Sequence, residues 1–169
     1  MKIQTKRTKY DWVLEAISIS LLLYNFVPLF LFDKISEGTK VPIHFNFAGE
    51  VDGWGDSSSL LMSPIMALVI YIILTLGEKY PKLGNYPVKV TDGNRVVLYS
   101  LMIRLIRYIK PLILLNFAYI GHASIAIAIG NTTGLNQHIM IISFVSMLII
   151  VGIYALKMVK AKNVNITED

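Results

Sequence analysis

Four long stretches of the chain contain almost no charged residues, and this pattern constrains the fold more than any other feature. They cover residues 12–32, 60–77, 111–129 and 139–156. At 1.5 Å per residue, an 18-residue helix reaches about 27 Å, close to the roughly 30 Å hydrocarbon core of a bilayer. Unpaired backbone groups in hydrocarbon cost several kcal/mol each, so such stretches are expected to be helices. The sequence therefore predicts an all-α, polytopic membrane protein with four transmembrane helices.

The composition agrees with this prediction. Hydrophobic residues make up 54% of the 169 residues and charged residues 16%, against about 45–50% and about 25% in ordinary soluble domains. The net charge of +5 could suggest nucleic acid, but the basic residues lie in three patches between the uncharged stretches. Membrane topology produces that arrangement. We therefore predict the lipid bilayer as a partner, no nucleic acid, and a single membrane domain over residues 1–169.

The distribution of lysine and arginine predicts how the chain crosses the membrane. There are four of them in residues 1–11, two in 33–59, seven in 78–110, none in 130–138 and three in 157–169. Because cytoplasmic segments carry the excess of basic residues, this alternation places both termini in the cytoplasm. The loop at residues 33–59 is then extracytoplasmic.

A further helical segment is predicted at residues 94–110, before the third span. Ser100, Arg104 and Arg107 share one face, and apolar residues cover much of the rest. This amphipathic pattern fits an interfacial helix on the inner membrane surface or a cytoplasmic extension of the third span. We expect a kink or a break at Pro111.

The first loop differs from an ordinary hydrophilic connector. Ile43, Phe45 and Phe47 alternate with His44 and Asn46, which predicts a short extended segment. The glycines that follow permit tight turns, so we expect a folded loop on the outer membrane surface. The candidate ligand-binding residues of this loop are His44, Asn46, Gly49, Glu50, Asp52 and Trp54.

Two runs of residues also carry a family resemblance. Residues 42–55 read P-I-H-F-N-F-A-G-E-V-D-G-W-G, and a leucine-rich segment containing Pro64 follows. They resemble the HFN…G…D-W-G signature of a bacterial membrane domain of unknown function, found at the N-terminus of Sdp-type toxin-immunity and signalling proteins. Residues 85–94, N-Y-P-V-K-V-T-D-G-N, are similar to the cytoplasmic segment of its stand-alone members.

This resemblance covers residues 12–94 and implies a place and a role. The place is the bacterial cytoplasmic (inner) membrane. The implied role is immunity to a toxin, or signalling by capture of a cytoplasmic repressor at the membrane. An extracytoplasmic peptide, lipid or envelope component would then be recognised through the loop at residues 42–55.

The polar residues of this loop have other interpretations. His44 and Asn46 can serve the loop's own backbone, and Trp54 can be an interfacial belt residue. One histidine with Glu50 and Asp52 is a poor metal signature, so we predict no metal site and no cofactor.

Three polar residues lie within the predicted spans: Asn25, Asn116 and His122. Residues 118, 122, 126 and 130 form a stripe of small residues around His122, suited to close helix packing. We expect His122 to face the bundle and to hydrogen-bond Asn25. Glu15, near the inner interface, is expected to have no special role.

Two other classes of function stay open. One is a membrane-embedded enzyme or small transporter that uses His44 with Asp52, or His122. The absence of HExxH, GxSxG and phosphate-loop motifs favours a protein that is not an enzyme, and we assign no catalytic residue. The other is a structural subunit of a membrane complex, with the small-residue stripe forming a homo-oligomer interface.

Overall fold

Four long helices dominate the computed structural model, which describes residues 7–164. Helices α1 (Lys9–Tyr24), α2 (Met62–Lys79), α3 (Arg95–Ala128) and α4 (Gln137–Lys160) are joined by short 3-10 helices and loops. Strands β1 (Val41–Phe45) and β2 (Val51–Gly55) form a small antiparallel sheet between α1 and α2. The segments Lys9–Lys34, Ser57–Lys79, Arg95–Ala128 and Gln137–Asn163 are long and apolar enough to cross a membrane. The predicted four-helix membrane fold is confirmed.

The first span changes its geometry at its midpoint. Thr8 and Asp11 form a capping box: Thr8 Oγ1 accepts from the Asp11 N–H, and Asp11 Oδ2 accepts from the Thr8 N–H. The α-helix ends at Tyr24, and the chain continues as the 3-10 helix Val27–Lys34. Pro28 explains the change, because its ring clashes with the carbonyl four residues earlier. The predicted single helix over residues 12–32 is therefore an α-helix followed by a 3-10 helix.

Helix α3 is continuous through Pro111 and contains 34 residues. The helix does not break at Pro111, so the residues predicted as a helix before the third span belong to the same helix as that span. Arg107, Lys110 and Leu114 are all buried, so packing on both sides of Pro111 offsets the one lost hydrogen bond. At 1.5 Å per residue the helix is about 51 Å long, which exceeds the roughly 30 Å thickness of the hydrocarbon core.

Helices α1, α2 and α4 each pack along α3, and an apolar cluster closes each end of the bundle. Val41, Leu60 and Ile125 are buried together at the end that carries the sheet, which we call the hairpin end. At the opposite end, Leu98 and Met158 are buried with Ala161. The connection from α2 to α3 packs on this second cluster. The bundle therefore holds folded segments against both of its ends.

Candidate functional site

The hairpin, residues 41–55, consists of β1, β2 and the turn between them. Val41 pairs with Gly55 and Phe45 with Val51, so the predicted extended segment is confirmed. His44 lies opposite Gly53, with a register shift on either side of it. A Cβ atom at Gly53 would lie 2.8 Å from the His44 Cβ, so only glycine allows this close approach. Gly53 thereby makes room for the His44 side chain.

Asn46 organises the turn of the hairpin. Its Oδ1 accepts from the backbone N–H groups of Ala48 (2.9 Å) and Glu50 (3.0 Å). Its Nδ2 donates to Glu50 Oε2 at 2.9 Å. This is an Asx-type turn, in which a side chain satisfies backbone donors. Asn46 therefore satisfies backbone groups of its own loop, which is one of the three interpretations that the sequence left open.

His44 has a side-chain partner. Its Nδ1 lies 2.5 Å from Asp52 Oδ1, and the two side chains are 71% and 44% exposed. An ion pair joins Lys40 Nζ to Asp56 Oδ1 at 2.5 Å, just outside the strands. The hydrogen bond and positive charge of Lys40 lower the pKa of the Asp56 carboxyl. Asp52 in the hairpin and Asp56 just after it therefore each have a side-chain partner.

The candidate residues form separate pairs and do not converge on a common point. His44 contacts Asp52, Asn46 contacts Glu50, and Gly49 lies in the turn. Within residues 7–164, no group of three or more His, Cys, Asp or Glu side chains is placed to hold a metal ion.

The turn is fixed to a second loop that the sequence did not point to. Gly49 has φ +82° and accepts a hydrogen bond at its carbonyl from the Leu135 N–H at 2.8 Å. Glu50 also forms an isolated bridge with Gly134. Leu135 and Gly134 belong to the loop between α3 and α4. This loop is itself held by a hydrogen bond in which the Tyr119 hydroxyl accepts from the Asn136 N–H at 2.8 Å. The hairpin is therefore anchored at both its base and its turn.

Large apolar side chains are exposed on the hairpin. Phe47, in the turn, is fully exposed, Trp54 is 53% exposed and Ile43 is 45% exposed. Burial of a phenylalanine side chain stabilises a protein by about 1.5–3 kcal/mol. Phe47 makes no such contribution to this fold. Exposed large apolar side chains of this kind are typical of a contact surface for a membrane or a partner molecule.

His122 does not lie where the sequence pattern predicted. It is exposed on the outside of the bundle, and its Nδ1 lies 3.2 Å from the Tyr24 hydroxyl. The buried stripe of α3 runs instead through Ala118, Gly121 and Ile125, and each residue turns a helix by about 100°. His122 therefore points away from the core, and the predicted orientation toward the bundle is wrong.

Asn25 and Asn116 link helices to one another. Asn25 is 1% exposed, and its Nδ2 donates to the Leu114 carbonyl at 3.4 Å, so its predicted hydrogen bond to His122 is also wrong. Asn116 Nδ2 donates to Ser143 Oγ at 3.0 Å and connects α3 to α4. Interhelical hydrogen bonds of this kind hold membrane helices in register.

At the end of the bundle opposite the hairpin, six charged side chains of residues 7–164 meet, and all but Arg7 are largely buried. We call this set the charged network; its members are Arg7, Asp11, Glu15, Glu78, Arg107 and Lys110. Three of these six are cationic and three are anionic, so their formal charges balance. Lys110 is 1% exposed and is among the largest fully buried side chains.

Lys110 and Arg107 form the centre of the charged network. Lys110 Nζ lies 2.5 Å from Glu78 Oε1 and 3.1 Å from Glu15 Oε2. Arg107 Nε lies 3.1 Å from Glu78 Oε2, and its Nη1 lies 3.1 Å from Asp11 Oδ2. Because α1 contributes Asp11 and Glu15 and α2 contributes Glu78, these contacts join three helices.

Neutral groups complete the charged network. The Tyr71 hydroxyl donates to Glu15 Oε1 at 2.6 Å, and Lys110 Nζ donates to Thr75 Oγ1 at 3.3 Å. Lys110 is 18 residues before Ala128, about 27 Å along α3, which is close to the roughly 30 Å depth of the hydrocarbon core. Buried ions are costly unless paired. The charged network therefore joins three helices at a distance of about one hydrocarbon thickness from the end of α3.

The sequence contained a signal for the charged network. Asp11 and Glu15 are four residues apart on α1, and Arg107 and Lys110 are three apart on α3, so each pair shares a helix face. The expectation that Glu15 has no special role is wrong. The distribution of basic residues predicts the topology, but it does not show that Arg107 and Lys110 are buried.

The fold defines the class of protein: a multi-pass membrane protein with four helices able to span a bilayer. Residues 16–68 of this chain, which contain the hairpin, match the sequence model of a domain of unknown function, DUF1648. The resemblance to a domain of unknown function is confirmed over that segment, and the link to Sdp-type proteins stays a prediction. No curated protein and no solved structure matches the chain.

Proposed function

We propose that this membrane protein recognises an extracytoplasmic peptide through the hairpin, in a protective or sensing role of the Sdp-type immunity kind. The distribution of basic residues supports an outward-facing hairpin and cytoplasmic termini in a bacterial cell membrane. The observation that carries the proposal is the complete exposure of Phe47 in the turn of a hairpin that is anchored at both ends.

The anchoring of the hairpin supports a recognition role. Val41 at its base is fully buried, and Gly49 in its turn is hydrogen-bonded to Leu135. A loop that is already ordered loses little conformational entropy when it binds a partner. Aromatic side chains on such a platform are the residue types that dominate binding energy at interfaces.

The charges of the hairpin indicate the kind of peptide. Residues 41–55 contain Glu50 and Asp52 but no lysine or arginine. A negative surface attracts a positive ligand and suppresses negative ones. Together with exposed Phe47 and Trp54, the surface suits a peptide that is both apolar and cationic.

The Phe47→Ala and Asp52→Ala double variant is expected to lose recognition. Cells that express the protein are challenged with a panel of cationic, apolar membrane-active peptides, and survival is measured. Burial of the phenyl ring is worth about 1.5–3 kcal/mol, so protection should fall by about 10- to 100-fold in peptide concentration.

The matched control is Phe30→Ala. Phe30 is 83% exposed but lies in the 3-10 helix Val27–Lys34, outside the hairpin. This control should protect like the wild type at equal amounts of membrane-inserted protein. Undiminished protection by the hairpin variant, or no protection by the wild type against any peptide of the panel, would contradict the proposal.

A further inference from the structure

An apolar groove of about 310 Å³ opens on the side of the bundle below the hairpin. Its walls come from the first turns of α2, with Met62 and Met66, and from α3, with Phe117 and Ile120. Ile43 of β1 lines it at the hairpin end. The groove is therefore shared by two membrane-crossing helices and the folded loop above them.

The position of the groove along α3 matches one leaflet of a bilayer. Its lining residues run from Ser124 to Phe117, which lie 4 and 11 residues before Ala128. At 1.5 Å per residue they are about 6 and about 16 Å from the end of the helix. One leaflet contributes about 15 Å, half of the hydrocarbon core. The groove thus follows the path of a lipid tail.

The floor of the groove is recessed because small residues form it. Gly121 and Ser124 are buried and Ser63 is half-buried. A Cβ atom at Gly121 would lie 3.0 Å from Ser63 Oγ, so the two helices approach closely there. The methionines at the rim, Met62 and Met66, are 55% and 42% exposed. Their flexible thioether side chains adapt to a partner of variable shape.

We propose that the groove binds one acyl chain of a phospholipid from the leaflet nearest the hairpin. At this depth the surrounding membrane supplies hydrocarbon chains, and a recessed groove contacts a chain on several sides where a flat helix surface contacts it on one. The site goes beyond the proposed function, because it requires neither a peptide nor the exposed side chains of the hairpin.

The experiment uses photo-crosslinking in vesicles of phosphatidylethanolamine and phosphatidylglycerol. The probe is phosphatidylethanolamine with a diazirine in one acyl chain, and labelled residues are identified by mass spectrometry. Groove residues such as Phe117 should be labelled about fivefold more than Leu148 and Ile149, which are exposed on α4. Unlabelled phosphatidylethanolamine should compete for the groove. Equal labelling of groove and α4, with no competition, would overturn the proposal.

Two tryptophan variants test the site further. Met66→Trp places an indole ring in the groove and should reduce its labelling to the level of α4. Leu68→Trp is the matched control. Leu68 is on the same helix and is as exposed as Met66 (41% and 42%), but it does not line the groove. The control should keep the wild-type labelling. If Met66→Trp folds and the labelling of its groove is unchanged, the proposal is contradicted. If Met66→Trp does not fold, the comparison of groove and α4 labelling in the wild-type protein still tests the proposal.

Discussion

The Lys110→Met variant is expected to lose about 3–5 kcal/mol of folding stability, because removing one partner of a buried ion pair leaves the other charge uncompensated. Lys110 is 1% exposed and lies between Glu15 and Glu78. Without the ammonium group, the charged network has three carboxylates and two cations. The measurement is the free energy of unfolding of the purified protein in mixed micelles.

Two further variants separate this effect from a general loss of charge. Arg104→Met removes an exposed cation from the same helix and should change stability by no more than about 0.5 kcal/mol. Adding Glu15→Gln to Lys110→Met restores the charge balance and keeps an acceptor for Tyr71, so it should recover much of the loss. Equal stability of Lys110→Met and Arg104→Met would show that the charged network does not hold the helices together.

The Gly49→Ala variant is expected to detach the hairpin turn from the loop between α3 and α4. Gly49 has φ +82°, and a Cβ atom there would overlap the Leu135 carbonyl oxygen. No relaxation of a side chain removes this clash, because the neighbour is backbone. Amide hydrogen exchange at Leu135, which now donates to Gly49, should accelerate by at least about tenfold, since exchange reports local opening.

The control for this prediction is Gly38→Ala. Gly38 has φ +79°, but nothing lies within 4 Å of the position that a methyl group would take there. Its substitution costs only the left-handed backbone strain, about 1–2 kcal/mol, and should leave exchange at Leu135 unchanged. Similar exchange at Leu135 in the two variants would show that the contact between the two loops does not hold the hairpin.

The helices could be predicted from the sequence because the membrane imposes a simple rule. An uncharged stretch of sufficient length must satisfy its backbone hydrogen bonds internally, whichever residues it contacts. The rule locates spans but not their internal geometry. The rule does not show that the α-helix of the first span ends before Pro28, whereas α3 continues through Pro111. Packing around each proline decides whether the helix continues.

The hairpin was partly predictable because its alternation and its turn are local. The contact of Gly49 with Leu135 joins residues far apart in the chain, and no local pattern indicates it. The charged network could not be predicted for the same reason, because Glu15 and Lys110 are 95 residues apart in the chain. His122 was misplaced for a related reason: several stripes on α3 contain small residues, and the sequence alone does not show which one faces the other helices.

The most direct test of the proposed arrangement is the sidedness of the two ends of the bundle. The chain contains no cysteine, so the variants Phe47→Cys and Leu83→Cys each provide one reactive thiol, at positions that are fully exposed and 77% exposed. Intact cells are treated with a membrane-impermeant maleimide. We predict that Phe47→Cys is labelled and that Leu83→Cys is labelled only after permeabilisation. Labelling of Leu83→Cys in intact cells, with protection of Phe47→Cys, would contradict an outward-facing hairpin.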